Sequence, residues 1–311
     1  MSVRSPRRPD VETAAFRLGG AIRRTPVITL DPAETGLDAT AVLKLELTQH
    51  SGSFKARGAL NNVLSLEPGV TGVCAASGGN HAGAVSWAAQ RAGVTADVFV
   101  PKSATPAKIA RIAEYGGRAH LVDGHVREAL DACRDFADAN QVPVIHPYDT
   151  FETVCGAGTL GLELEDQAPE ADLVVVACGG GGLFAGLCAA FAGVATVQPV
   201  EPRLCPALFD ALRAGIRVPT TVGGVAADSL GAPMIGELGY EAAVENEVGS
   251  VLVDDDAILA ARRFLWSRLR ILAEPGACVA LAAVLAGAVD VSPGQTVAVV
   301  VSGGNDDSLP A

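Results

Sequence analysis

Three short apolar runs, each ending in a glycine-rich polar turn, constrain the fold of this chain more than any other feature. Leu173 to Ala177 runs into Cys178 and then Gly179-Gly180-Gly181-Gly182-Leu183. Val297 to Val301 ends in Ser302-Gly303-Gly304-Asn305, and Val73 to Ala76 ends in Ser77-Gly78-Gly79-Asn80-His81. These runs are continuously apolar instead of alternating, and Thr95 to Val100 has the same character. That is the pattern of parallel strands covered by helices on both faces. Helix-like stretches alternate with them, so the spacing predicts an α/β protein of βα units with mainly parallel sheets. At 311 residues and 49% hydrophobic, the chain is long enough to bury a large core.

The turns carry the functional information, because ligands of open α/β sheets sit at the C-terminal ends of the strands. Four consecutive glycines are hard to justify by stability, since glycine loses the most backbone entropy on folding. Their bare N–H groups can wrap an anion, and the dipole of a following helix adds to the attraction. The run matches neither Gly-x-Gly-x-x-Gly nor a P-loop, which needs a following Lys-Ser/Thr pair, so a single phosphate group is expected in place of a nucleotide. The Ser77–His81 turn combines a helix N-terminus with three side-chain donors, a site for a carboxylate. Ser51-Gly52-Ser53-Phe54-Lys55-Ala56-Arg57-Gly58-Ala59 places a lysine between a Gly/Ser-rich turn and a helix-like run. A lysine amine becomes a nucleophile toward an aldehyde when burial disfavours its charged form. Taken singly, each motif also fits a plain structural role: a turn-capping lysine, a βα connection, a strand followed by a Gly-Gly turn.

Taken in order they do more. With Arg24-Thr25-Pro26, Pro106-Ala107-Lys108 before Tyr115-Gly116-Gly117, His146-Pro147, Gly158-Thr159, Glu201-Pro202 and Glu274-Pro275-Gly276, the chain resembles the fold-type II pyridoxal-phosphate enzymes. Within them it resembles the serine/threonine dehydratase (threonine deaminase) and serine racemase family, over nearly its whole length. The resemblance implies a tryptophan synthase β-like fold of two open, twisted, mainly parallel sheets flanked by helices. It implies a large cofactor-binding domain from residues 1–68 and 148–311, with residues 69–147 as a small inserted domain. Pyridoxal 5'-phosphate is the implied cofactor, joined to Lys55 as an imine and backed by Phe54. Asn80 would bond the ring's phenolic oxygen, Gly179, Gly180, Gly181, Gly182 and Leu183 would hold the phosphate, Ser302 would face the pyridine nitrogen, and Glu274 would stand near the ring. Ser77, Gly78, Gly79, Asn80 and His81 would clamp the substrate carboxylate.

The implied activity is β-elimination of water from L-threonine, L-serine or a related 3-hydroxy amino acid, giving a 2-oxo acid and ammonia, with Lys55 as general base. A neutral serine opposite the pyridine nitrogen makes the ring a weaker electron sink than a carboxylate would, which favours loss of a β-substituent over transamination. Serine racemase or β-replacement chemistry on the same fold are alternatives. A catalytically inactive cofactor- or amino-acid-binding protein is an alternative of another class, against which the intact Lys55 argues. The chain departs from the family at Gly78, where the racemases carry a second serine. It departs at Arg203-Leu204-Cys205, where the metal-binding variant supplies an aspartate, so no metal is expected. Tyr148 follows His146-Pro147 where relatives often carry asparagine or phenylalanine. With few residues after Ser302, the regulatory domain of biosynthetic threonine deaminases is not expected.

The net charge of −12 and pI near 4.8 make nucleic acid an unsuitable partner. No apolar run approaches the roughly 20 residues that span a bilayer, and the N-terminus lacks the apolar core of a secretion signal, so a cytoplasmic protein is expected; with the resemblance goes the expectation of a homodimer acting on a small amino acid. Seven cysteines without Cys-x-x-Cys spacing read as reduced structural thiols. Asp254-Asp255-Asp256 reads as a helix cap complementing the dipole of the following helix.

Overall fold

The computed structural model describes residues 4–310. Among the described residues nine strands form two sheets: β1 (Val27–Leu30), β2 (Thr40–Leu45), β3 (Gly72–Ala76), β4 (Thr95–Pro101), β5 (Arg118–Val122), β6 (Leu173–Ala177), β7 (Thr196–Pro202), β8 (Val251–Val253) and β9 (Thr296–Val301). The larger sheet has the order β1-β2-β9-β6-β7-β8, parallel throughout except for antiparallel β1 against β2. The smaller sheet, β3-β4-β5, is all parallel.

The apolar runs became strands because both of their faces are covered. Val42, Val174, Val176, Ala298 and Val300 pack on one side of the large sheet, with helices Phe151–Gln167 and Gly182–Ala190. Leu43, Val175, Val297, Val299 and Val301 pack on the other, with helix Val279–Leu285. Central β9 is thus almost pure buried valine, a β-branched residue suited to a pleated surface, each side chain contributing about 1.5–3 kcal/mol of burial.

The small sheet rests on helix Lys55–Leu64, whose Ala56, Ala59, Leu60 and Val63 share a core with Val73, Val85 and Val98. Helix Asn80–Ala92 belongs to this core and ends at Gly93, which takes the left-handed conformation (φ 74°) of a C-cap. All seven cysteines are free and buried. Among the described residues no helix is long and apolar enough to cross a membrane.

At Asp254-Asp255-Asp256 the helix begins as the sequence predicts, at Asp255, but Asp254 gives its N-terminus no side-chain cap. Its carboxylate instead pairs with Arg203 at 2.7 Å, while Asp255 accepts from the Val225 amide at 3.1 Å.

Candidate active site

Lys55 opens its helix after a tight turn in which Ser51 (φ 55°) and Gly52 (φ 75°) both take left-handed conformations. A Cβ on Gly52 would stand 2.1 Å from Asn305 Oδ1, so only glycine lets the turn close on the loop after β9. Two contacts stitch the turn to that loop: the Phe54 amide donates to the Ser302 carbonyl at 3.0 Å, and Ser53 bridges Gly303. Lys55 Nζ donates to the Pro147 carbonyl at 2.6 Å and lies 5.1 Å from the centre of the Phe54 ring. Burial pushes the Lys55 ammonium down to about 8, with the Glu274 carboxylate opposing the shift.

Phe54, Lys55, Asn80, Gly179, Gly180, Gly181, Gly182, Leu183, Glu274 and Ser302 line one cavity. Residues separated by up to 248 positions meet there because β2, β6 and β9 are neighbours in the sheet and end on the same edge. The amides of Gly179, Gly180 and Gly181 have no acceptor among the described residues, and Gly182 and Leu183 begin a helix, where first-turn amides are free. A Cβ on Gly180 would lie 2.3 Å from the Tyr148 ring, and one on Gly182 would lie 2.6 Å from the Tyr148 carbonyl. The glycines therefore let Tyr148 pack against the loop as well as leaving its amides bare. Ser302 is buried, and its hydroxyl bonds to no described residue. An amide cradle for a phosphate, an amine of depressed pKa and an unbonded hydroxyl on one cavity fit pyridoxal phosphate.

Glu274, raised to about 7 by burial against the hydrogen bonds of Asn80 and the Asn305 amide, anchors a chain of contacts. Asn80 Nδ2 donates to Glu274 Oε1 at 2.6 Å, and Asn305 Nδ2 donates to Asn80 Oδ1 at 2.6 Å and to the Ser51 carbonyl at 2.9 Å. Asn80 is thereby held by its neighbours at the cavity wall.

The Ser77–His81 turn behaves unevenly. Gly79 and Asn80 line a second, more open cavity that continues from the first through Asn80, Ser229 and Glu274. Ser77, Gly78 and His81 line neither. Ser77 Oγ accepts from the Gly79 amide at 3.2 Å. His81 is buried with Nε2 against the Ile145 carbonyl at 2.8 Å, so Nε2 carries the proton. Burial, with Lys55 acting in the same direction, pushes His81 down to about 3, which keeps it neutral. His146 Nδ1 accepts from the amides of Tyr148 and Asp149 at 3.4 and 3.0 Å, shaping the turn that presents the Pro147 carbonyl to Lys55.

Two lining residues carried no sequence signal as site residues, and a third was marked only by its motif. Ser229 and Leu230 belong to a one-turn helix, Ala227–Leu230, in a stretch with no periodicity. Asn305 stands in the Ser-Gly-Gly-Asn turn, but its bond to Asn80 depends on the tertiary fold. Glu201 spends both oxygens on the Leu208 and Phe209 amides (2.7 and 2.8 Å) and on Ser250 (2.6 Å), and burial raises it to about 7. Among the described residues no group of three or more His, Cys, Asp or Glu is placed to hold a metal ion.

The chain belongs to the pyridoxal-phosphate dependent enzyme family, whose model matches residues 18–303. Among its relatives, phenylserine dehydratase of Ralstonia pickettii is 36% identical, with 96% of this chain and 94% of that protein covered. The beta-hydroxyaspartate dehydratase of Paracoccus denitrificans (strain Pd 1222) is 32% identical, with 96% of each covered. The crystal structure of the threonine deaminase from T.th. superposes with a TM-score of 0.91 at 34% identity, covering 98% of this chain and all of that one. Two mainly parallel sheets flanked by helices are thus the fold-type II architecture.

Proposed function

We propose that this chain is a pyridoxal-phosphate-dependent dehydratase that eliminates water from a 3-hydroxy amino acid, leaving a 2-oxo acid and ammonia. The observation that carries the proposal is the meeting of the Lys55 amine, the bare amides of Gly179 to Leu183 and the Ser302 hydroxyl on one cavity. When bound, the cofactor supplies the electron sink that makes the substrate Cα proton removable. The amides of Gly179 to Leu183 hold its phosphate, and Phe54 backs its ring. Lys55, with a pKa near 8, has an appreciable free-amine fraction at neutral pH, both for attachment and for taking the Cα proton. Gly79 and Asn80, at the start of a helix, orient the substrate carboxylate. The β-hydroxyl leaves as water, and the released enamine hydrolyses to the oxo acid and ammonia. Ser302, a neutral group, favours this outcome over transamination.

The proposal includes a cytoplasmic homodimer, no nucleic-acid or membrane partner, and residues 69–147 acting as a unit against residues 1–68 and 148–311. The test is to incubate the holoenzyme with L-serine and L-threonine and measure ammonia and oxo acid. Lys55→Ala is expected to abolish both. Near-normal ammonia release by that variant, or cysteine in place of pyruvate when sulfide is added with L-serine, overturns the proposal.

A further inference from the structure

Arg111 has no hydrogen bond or ion pair among the described residues, although it lines the open cavity that continues from the lysine site. It projects from helix Pro106–Glu114, and its Cγ and Cδ pass 3.6 and 3.5 Å from where a Cβ on Gly83 would be. Gly83 lies one turn after Asn80, the residue shared by both cavities. The arginine stem thus lies along this wall, beside the helix that Asn80 begins. The other cations near the mouth are engaged: Lys108 pairs with Asp228, and Arg262 pairs with Asp306 at 3.0 Å. Four carboxylates line the cavity: Asp228 and Asp306 are held by these cations, Glu274 accepts from Asn80, and Asp307 is exposed at the rim. No aromatic side chain lines it.

We propose that Arg111 is a specificity-determining residue that receives a carboxylate on the substrate's side chain, so that the preferred substrate is an acidic 3-hydroxy amino acid such as 3-hydroxyaspartate. This rests on the dehydratase reading of the same site. A substrate held by its α-carboxylate at Gly79 and Asn80, with Cα toward Lys55, directs its side chain past Asn80 into the cavity that Arg111 walls. A guanidinium presents parallel N–H donors that match a carboxylate in bidentate fashion, which neither a hydroxyl nor a methyl can exploit. A phenyl side chain would find few apolar partners, among them Ala107, Val225 and Pro275. Arg111 therefore favours the acid, and the lack of an aromatic wall disfavours the phenyl substrate.

Two measurements on the holoenzyme test the proposal. In the first, kcat/KM is compared for 3-hydroxyaspartate, serine, threonine and 3-phenylserine by oxo-acid formation. The acidic substrate is expected to lead, and Arg111→Ala is expected to lower the ratio of its kcat/KM to that of serine by about 10- to 100-fold, mostly through KM. Arg111→Lys, a point charge without the fork, is expected to recover part of that ratio. The second is calorimetric titration with succinate and butyrate, which differ in one carboxylate and require no turnover. Succinate is expected to bind at least about tenfold tighter, and Arg111→Ala to erase the difference. A preference for 3-phenylserine or threonine, a variant that loses activity equally on all substrates, or equal binding of succinate and butyrate overturns the assignment of Arg111. Tight, Arg111-dependent succinate binding without any ammonia release overturns the dehydratase reading and leaves standing only the carboxylate contact at Arg111.

Discussion

Replacing Arg57 with methionine removes the centre of a buried charge network two residues from the reactive lysine. Arg57 is 1% exposed and donates from Nε and Nη2 to Glu46 at 2.8 and 2.7 Å and from Nη1 and Nη2 to Glu163 at 2.8 and 2.9 Å. Lys44, also fully buried, donates to Glu163 at 2.8 Å, so two cations face two carboxylates. Methionine matches the arginine stem in volume, but it leaves the buried Glu46 with Thr25 Oγ1, at 2.5 Å, as its remaining side-chain donor. Removing one partner of a buried pair costs about 3–5 kcal/mol, because a charge stays behind in a poor solvent. A chain of 311 residues has an unfolding entropy near 0.65 kcal/mol/K, so calorimetry is expected to show a Tm lower by roughly 5–8 °C. Adding Glu46→Gln removes the orphaned charge and is expected to restore about half of the loss. A drop of under about 1 °C in Arg57→Met, or a double variant that falls by the sum of the two single changes, would refute the claim that an unpaired charge is the source of the cost.

The remaining predictions concern the site itself. The apoprotein is expected to capture pyridoxal phosphate at a rate that climbs with pH through about 8, because the neutral amine reacts and burial has lowered its pKa. At pH 7 about 10% of Lys55 is then free amine, against roughly 0.03% for an ordinary lysine; a midpoint near 10.5 in the absorbance-monitored rate contradicts the burial argument. Gly180→Ala drives a Cβ into the Tyr148 ring and is expected to weaken cofactor binding, read by fluorescence titration, by about 5- to 100-fold. Tyr148→Ala added to it should recover part of that loss, and no recovery would place the glycine's role elsewhere. With L-serine, pyruvate is expected to exceed D-serine greatly in chiral chromatography, since Gly78 offers no acid for the second face; D-serine at an equal rate refutes this reading.

The strands were legible because both-sided burial leaves continuous apolar runs, and Leu173 to Ala177 matches β6 residue for residue. Glycine runs marked the loops for the same kind of reason: local sequence records local backbone demands. What local sequence does not record is which distant groups meet. The tetraglycine was legible, but Tyr148 as the ring packed on it was not. Arg57 stood out within its motif, while its partners Glu46, just past β2, and Glu163, on a helix that also meets Lys44 of β2, are brought to it only by the fold. Asp254 was readable as a helix start, yet its ion pair with Arg203 joins the ends of β7 and β8. His81 looked like a donor to the substrate and is instead turned toward Ile145, because the helix it begins is buried along that face.

The position of β9, the last strand in the chain yet paired between β2 and β6, has a consequence for biosynthesis. At about 5–20 residues per second, roughly 10–50 s separate the ribosome's passage over β2 from its arrival at β9. Until β9 is made, β2 and, once it has been synthesised, β6 cannot be bridged, and each carries an unpaired inner edge open to mispairing with other chains. Ser302 and the Gly303 partner of Ser53 arrive with the same strand. Insertion of β9 thus seals the sheet and completes the lysine pocket in one event, so tight cofactor retention reports that synthesis has passed this point. A chain cut short before Thr296 is a target for chaperones and proteases, not a weaker enzyme.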